Sequence, residues 1–233
     1  DPYMDEDLTA FPYVNGGLFS DENIIIPRLN EKIVSLILRE ASENFDWSDI
    51  SPTIFGAVFE STLNPETRRS GGMHYTSIEN IHKVIDPLFL NDLKAELAEI
   101  QQTPVVRTRR SRLEAFQEKL AGLTFLDPAC GSGNFLTETY LSLRRMENEI
   151  VRSLIDAREG RTKDQRDQIT AGQIMWGITD STVLEPIKVS IQQFYGIEIN
   201  DFAATVAKTA LWIAESQMMK QTEEIVHMSL DFL

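Results

Sequence analysis

Phe125-Leu126-Asp127-Pro128-Ala129-Cys130-Gly131-Ser132-Gly133-Asn134-Phe135 is the stretch on which the fold turns. Leu123 to Leu126 reads as a short buried strand, and Asp127 stands at its carboxyl end. A tight glycine turn follows, and Asn134 to about Ala157 reads as one long helix. Gly131 and Gly133 would let backbone amides approach a ligand and point it at the helix start. Open α/β sheets bind their ligands at the carboxyl ends of strands. A carboxylate placed there suits a ligand with an ammonium group. It would repel a pyrophosphate, which argues against a dinucleotide and hence against an oxidoreductase.

Outward from this string, a second buried strand is expected over Phe194 to Ile199, and a strongly apolar helix from Asp201 to about Lys220. Arg158 to Arg166 reads as an exposed turn, and Gln168 to Gln193 as helical with breaks at Gly172, Gly177 and Pro186. The order strand, helix, extra helices, strand, helix is the beginning of a doubly wound parallel sheet. Glu198 closes the second strand, where an acid can accept both ribose hydroxyls of an adenosine. A minimal dinucleotide unit has about 20 residues between glycines and acid, whereas about 65 intervene here. The long helix and the Arg158 to Ile191 insertion account for the excess.

Upstream the chain is mainly helical. The first 27 residues, rich in turn formers and aromatics, read as an irregular arm. Leu29, Ile33, Leu36, Ile37 and Ala41 recur at helical spacing between Arg28 and Phe45. Ser51-Pro52 opens a further helix to about Leu63, and Asn64 to Gly72 is a polar turn. Ser77 caps a long helix that Pro87 should kink or divide. After the linker Gln101 to Pro104 comes a helix with Arg107, Arg109, Arg110 and Arg112, ended by Gly122. The arginines read as a solvated face before they read as a phosphate contact. The expected organisation is a helical region over 1–100 and a partial Rossmann-like core over 101–233.

Composition narrows the function classes. The chain has 233 residues, 42% hydrophobic and 25% charged, values typical of globular domains. No stretch approaches the roughly 18 apolar residues of a membrane span. The single cysteine, Cys130, excludes an internal disulfide framework and fits a reducing cytoplasm. The net charge of −14 disfavours this segment as the main DNA grip, because phosphate neutralisation needs cations. The chain opens on Asp1-Pro2 without an initiator Met, so excision from a longer protein is expected.

The string from Asp127 to Phe135 resembles motif I of the amino-methyltransferases that act on DNA adenine. It is especially similar to that of the large enzymes of restriction-modification and phage-defence systems. The resemblance implies that Asp127, Pro128, Ala129, Cys130, Gly131, Ser132, Gly133 and Phe135 hold the methionine end of S-adenosylmethionine. It implies Glu198 as the ribose acid, with Ile199 and Asn200 flanking the adenine. Gly71-Gly72-Met73-His74-Tyr75-Thr76-Ser77 is similar to the family's motif ten, usually Tyr-Thr-Pro, and implies that Tyr75 and Thr76 line the methionine end. Ser77 departs from the usual proline. His74 reads as a turn residue. FPYVNGGLF, DWSDISPTIFGAVFE and PLFLNDL look like the helical region that precedes the methylase core in those enzymes.

The fold implied is the first half of a class I methyltransferase core, and the activity is methyl transfer to the exocyclic amine of adenine in DNA. That chemistry needs the target base out of the stack. In the family, the base is held by an Asn- or Asp-Pro-Pro-aromatic loop, and no Pro-Pro pair occurs in this chain. No catalytic residue and no metal site are therefore expected here. Catalysis, DNA contact and target recognition are assigned to other parts of a longer parent, and this chain alone is expected to be inactive. Cys130 lies inside the cofactor loop and cannot serve as a base-attacking thiolate. A sheet left with an open edge suggests self-association, or shielding of that surface by the amino-terminal helices. Two other readings remain: a methyltransferase of RNA or protein, and a non-catalytic assembly module.

Overall fold

The computed structural model describes residues 29–44, 50–54, 58, 76–159 and 186–226. The chain divides into two compact units, Asp1–Trp47 and Ser48–Leu233. The expected arm, most of the 51–63 helix, the 64–72 turn, the FPYVNGGLF stretch, His74, Tyr75 and the 160–185 insertion lie outside the described residues.

In the first unit, α1 spans Glu31–Leu38 and passes into a π-helical turn, Arg39–Glu43. Asn30 starts it, its Oδ1 accepting from the Ile33 amide at 2.9 Å. The helix is two to three residues shorter at each end than its apolar periodicity suggests. That periodicity does not become a buried stripe: Leu29, Ile33, Leu36 and Ile37 are exposed.

Among its described residues, the second unit builds its core from five helices and two short strands. They are α2 (Ile78–Ile85), α3 (Asn91–Gln101), α4 (Val106–Ala121), β1 (Phe125–Asp127), α5 (Asn134–Glu159), β2 (Phe194–Gly196) and α6 (Asp201–Val226). Ser77 is the N-cap of α2, as its sequence suggests. Pro87 divides the long helix through a π turn, Asp86–Leu90, because it has no N–H for the i→i−4 bond. Gly122 ends α4 with right-handed backbone, so this stop uses no glycine-only conformation.

The strands pair in parallel with Phe125 opposite Phe194, Leu126 opposite Tyr195 and Asp127 opposite Gly196. Alternation puts Phe125 and Phe194 on the core face. Phe125 stacks on Phe194 at 5.2 Å between centroids, Phe89 tilts against Phe125 at 5.1 Å, and Tyr140 of α5 meets Phe194 edge-on at 5.6 Å. These rings join the π turn, both strands and α5. The expectation of two buried strands is corrected on the other face, where Leu126 is 64% and Tyr195 55% exposed. Each strand is also only three residues long, and Ile197 to Ile199, expected as strand, lie beyond the end of β2. The expected helical character does not extend through 186–190, which is non-helical, or beyond the single 3-10 turn Ile191–Gln193.

A buried polar clamp fixes how the chain enters β2. Glu147 of α5 accepts from Gln117 Nε2 (2.9 Å), the Lys188 amide (2.7 Å) and the Val189 amide (3.2 Å), and pairs with Arg144. Arg144 also donates to Thr222 of α6 at 2.8 Å. Gln193 then donates to the carbonyls of Leu120 and Leu123 at 2.8 and 2.7 Å. The ends of α4 and the start of β2 are thereby tied, which sets the two strand ends side by side.

Candidate functional site

Two backbone hydrogen bonds prolong the strand pair into the loop, and a third closes the loop on itself. The Ile197 amide donates to Asp127 O (2.9 Å), the Cys130 amide to Ile197 O (3.0 Å), and the Gly133 amide to Cys130 O (2.8 Å). The 127–133 loop thus lies directly against 197–198. Glu198 completes the seam, Oε2 accepting from the Gly131 amide at 2.9 Å and Oε1 from the Asn200 amide at 2.8 Å.

The glycines have separate tasks. Both have positive φ, +54° at Gly131 and +78° at Gly133, a region that side-chain-bearing residues adopt at a cost. A Cβ at Gly133 would lie 2.7 Å from Cβ of Ala207, so this glycine lets α6 approach the loop. A Cβ at Gly131 would meet nothing within 4 Å, so the loop faces open space there. The Gly131 amide serves Glu198 and the Gly133 amide serves the loop itself. The amides of Ser132 and of the first α5 residues, Asn134 and Phe135, make no hydrogen bond to another described residue.

Asp127 is half-buried at the end of β1, and its Oδ1 accepts from the Ala129 amide at 3.0 Å. Its second oxygen makes no hydrogen bond among the described residues. Pro128 and Ala129 are exposed, and Ser132 is half-buried. Phe135 is half-buried and packs against the hydrophobic core. Ile199 stands 95% exposed, an apolar side chain bare to solvent beside Glu198. Asn200 caps the start of α6, its Oδ1 accepting from the Ala203 amide at 3.1 Å. Cys130 packs against Gly196, where a Cβ would sit 2.6 Å from its Sγ. Burial first, then the charges of Asp127 and Glu198, push its thiol pKa up. The thiol therefore stays protonated at neutral pH and is a poor nucleophile.

Thr76 lies half-buried just ahead of the Ser77 cap. Further along α2, His82 meets Glu138 of α5 at 3.2 Å, one turn beyond the α5 start. Phe89 meets Phe125, the residue of β1 farthest from the loop. The structure so brings together Asp127, Cys130, Gly131, Glu198 and Asn200 along one seam, and no contact of Thr76 with them is among the hydrogen bonds of the described residues.

Sequence reasoning missed the polar residues that hold this arrangement: His82, Gln117, Glu138, Arg144, Glu147 and Gln193. Their signal was present. Glu138, Arg144 and Glu147 are charged residues on a helix whose neighbours Leu136, Tyr140, Leu143 and Ile150 are core, and all three are buried.

Comparison with known proteins bears on this site. The family described as MmeI, DNA-methyltransferase domain, matches residues 102–233, from the end of α3 through both strands, the glycine loop and α6. The chain belongs to this family. DNA methyltransferase A of Bacillus subtilis (strain 168) is 39% identical over 220 residues, covering 94% of this chain and 22% of the relative. A putative type II restriction enzyme and methyltransferase of Methanocaldococcus jannaschii is 25% identical over 237 residues, covering 87% of this chain and 18% of the relative. A solved structure of the type IIL restriction-modification enzyme MmeI in complex with DNA matches with TM-score 0.74 and 37% identity, over 97% of this chain and 27% of that one. The chain thus spans about a fifth of the length of these curated relatives.

Among the described residues, no group of three or more His, Cys, Asp and Glu is arranged to hold a metal ion. No helix among them is long and apolar enough to cross a membrane.

Proposed function

We propose that the loop from Asp127 to Phe135, with Glu198, holds S-adenosylmethionine, and that the protein containing this chain transfers its methyl group to the exocyclic amine of adenine in DNA. The observation that carries this reading is the seam between Glu198 and the glycine loop. It sets two carboxylates, Asp127 and Glu198, on either side of a backbone turn that opens to solvent at Gly131. Asp127 suits the ligand's ammonium group through its unengaged oxygen. The free amides at the α5 start, and Tyr75 and Thr76, suit the methionine carboxylate. Each Glu198 oxygen has one lone pair beyond its backbone bond, enough to accept the two ribose hydroxyls. Ile199, bare to solvent, suits one face of the adenine. When bound, the cofactor supplies the electrophilic methyl; the chain's residues bind it and fix its direction.

In this reading, residues 1–100 are a helical region and residues 101–233 a partial Rossmann-like core in the cytoplasm. The division near residue 101 is supported by the start of the family match at 102. DNA is a partner of the larger protein, as the DNA complex of MmeI suggests by similarity. The exposed strand face at Leu126 and Tyr195 supports self-association of the isolated chain.

The test is transfer of labelled methyl groups to adenine-containing duplexes, comparing this chain with a longer one that includes a Pro-Pro loop. Incorporation by the longer chain alone is expected. Incorporation into cytosine, RNA or protein, or robust incorporation by residues 1–233 alone, would overturn the assignment.

A further inference from the structure

We propose that His82, doubly protonated between Asp86 and Glu138, is a positioning residue that fixes α2 against α5, the helix that follows the glycine loop. The inference rests on the cofactor reading of that loop and adds to it a control by pH.

The geometry calls for a doubly protonated ring. Nδ1 of His82 lies 2.9 Å from Oδ1 of Asp86, and Nε2 lies 3.2 Å from Oε1 of Glu138. Carboxylates only accept, so both bonds form only when both ring nitrogens have protons. A neutral imidazole has one N–H, and in either tautomer it turns a lone pair toward one carboxylate. Three elements furnish the surrounding charges. Asp86 follows on from α2 and also faces Lys94 of α3 at 3.7 Å; Arg145 of α5 donates to the same Glu138 oxygen at 3.1 Å; Lys83 and Glu79 of α2 pair with each other in solvent. Glu138 is buried, so its partners matter more than a surface pair would.

This is a side-chain bridge between α2 and α5, the helix that follows the glycine loop. Glu138 is four residues past Asn134, about 6 Å. A shift of α2 at His82 therefore acts on α5 about one turn from its start. The ring holds its second proton above the ordinary histidine range, chiefly through the Asp86 bond, with Glu138 adding to it against the opposing effect of burial. Because the folded value is raised, the bridge is intact at pH 6 and is lost as pH rises through that value.

The experiment measures S-adenosylhomocysteine affinity by calorimetry from pH 6 to 9, on the full-length protein that contains this chain. It compares wild type, His82→Ala and Glu138→Gln, with circular dichroism to confirm that each is folded. The ligand's amine titrates too, so the informative quantity is the ratio between wild type and variant. At pH 6 the wild type should bind about three- to tenfold more tightly than His82→Ala, the scale of one charged hydrogen bond. The ratio should fall toward one by pH 9. Glu138→Gln, whose amide can donate to a neutral ring, should keep its affinity across the range better than wild type. Parallel pH profiles for wild type and both variants would overturn this proposal and leave the cofactor reading standing. Absence of binding by wild type at every pH would overturn both.

Discussion

Replacing Glu147 with methionine should be among the most damaging single changes in the chain. Glu147 and Arg144 are both fully buried, and Glu147 is held by Arg144, Gln117 and two successive amides, Lys188 and Val189. Removing the acid leaves the Arg144 guanidinium in the core with Thr222 as a neutral partner. Breaking a buried pair by removing one partner costs about 3–5 kcal/mol. At roughly 2–4 °C per kcal/mol for a domain of this size, the melting temperature should fall by roughly 6–20 °C. Arg144→Met should be comparably harmful. The double variant should lose much less than the sum, because a methionine pair buries no charge and occupies similar volume. Differential scanning calorimetry of the four proteins closes the cycle. Strict additivity, or a Glu147→Met loss under about 1 kcal/mol, would refute the idea that this clamp sets the entry to β2.

Gly133→Ala should destabilise the chain more than Gly131→Ala in chemical denaturation. Both incur left-handed strain of about 1–2 kcal/mol, but only the first also drives a Cβ into Ala207. Buried Glu215 has its pKa raised chiefly by desolvation, partly offset by Arg144. Its protonated form is the one the fold favours, so stability should decline as pH rises from the ordinary carboxylate range toward the raised value. Glu215→Gln should flatten that part of the stability–pH curve. Sedimentation of the isolated chain should show concentration-dependent association that Leu126→Glu abolishes; a monomer at all concentrations would remove the exposed strand face as an interface.

The strand-turn-helix core was legible because its signals are local. An acid followed by two glycines and a long apolar-periodic helix leaves few alternatives, and Ser77, Pro87 and Gly122 act within their own turns. Strand burial was not legible. Apolar runs such as Phe125-Leu126 look buried on both sides, yet which face is covered depends on elements far along the chain. The destination of the glycine amides was also hidden, since Glu198 reaches Gly131 across 67 positions. The same holds for the Glu147 clamp and for His82–Glu138, which join residues 41 and 56 positions apart. Charged residues in a helix's apolar register mark such contacts, but the sequence does not name the partner.

The most direct test of the account is calorimetric binding of S-adenosylmethionine to the full-length protein and to its Glu198→Ala variant. Glu198 should accept both ribose hydroxyls while bracing the loop through Gly131. Loss of a charged acceptor costs about 1.5–3 kcal/mol, so the variant should bind at least tenfold more weakly. Equal affinities, with both proteins folded, would contradict the placement of the cofactor at this seam.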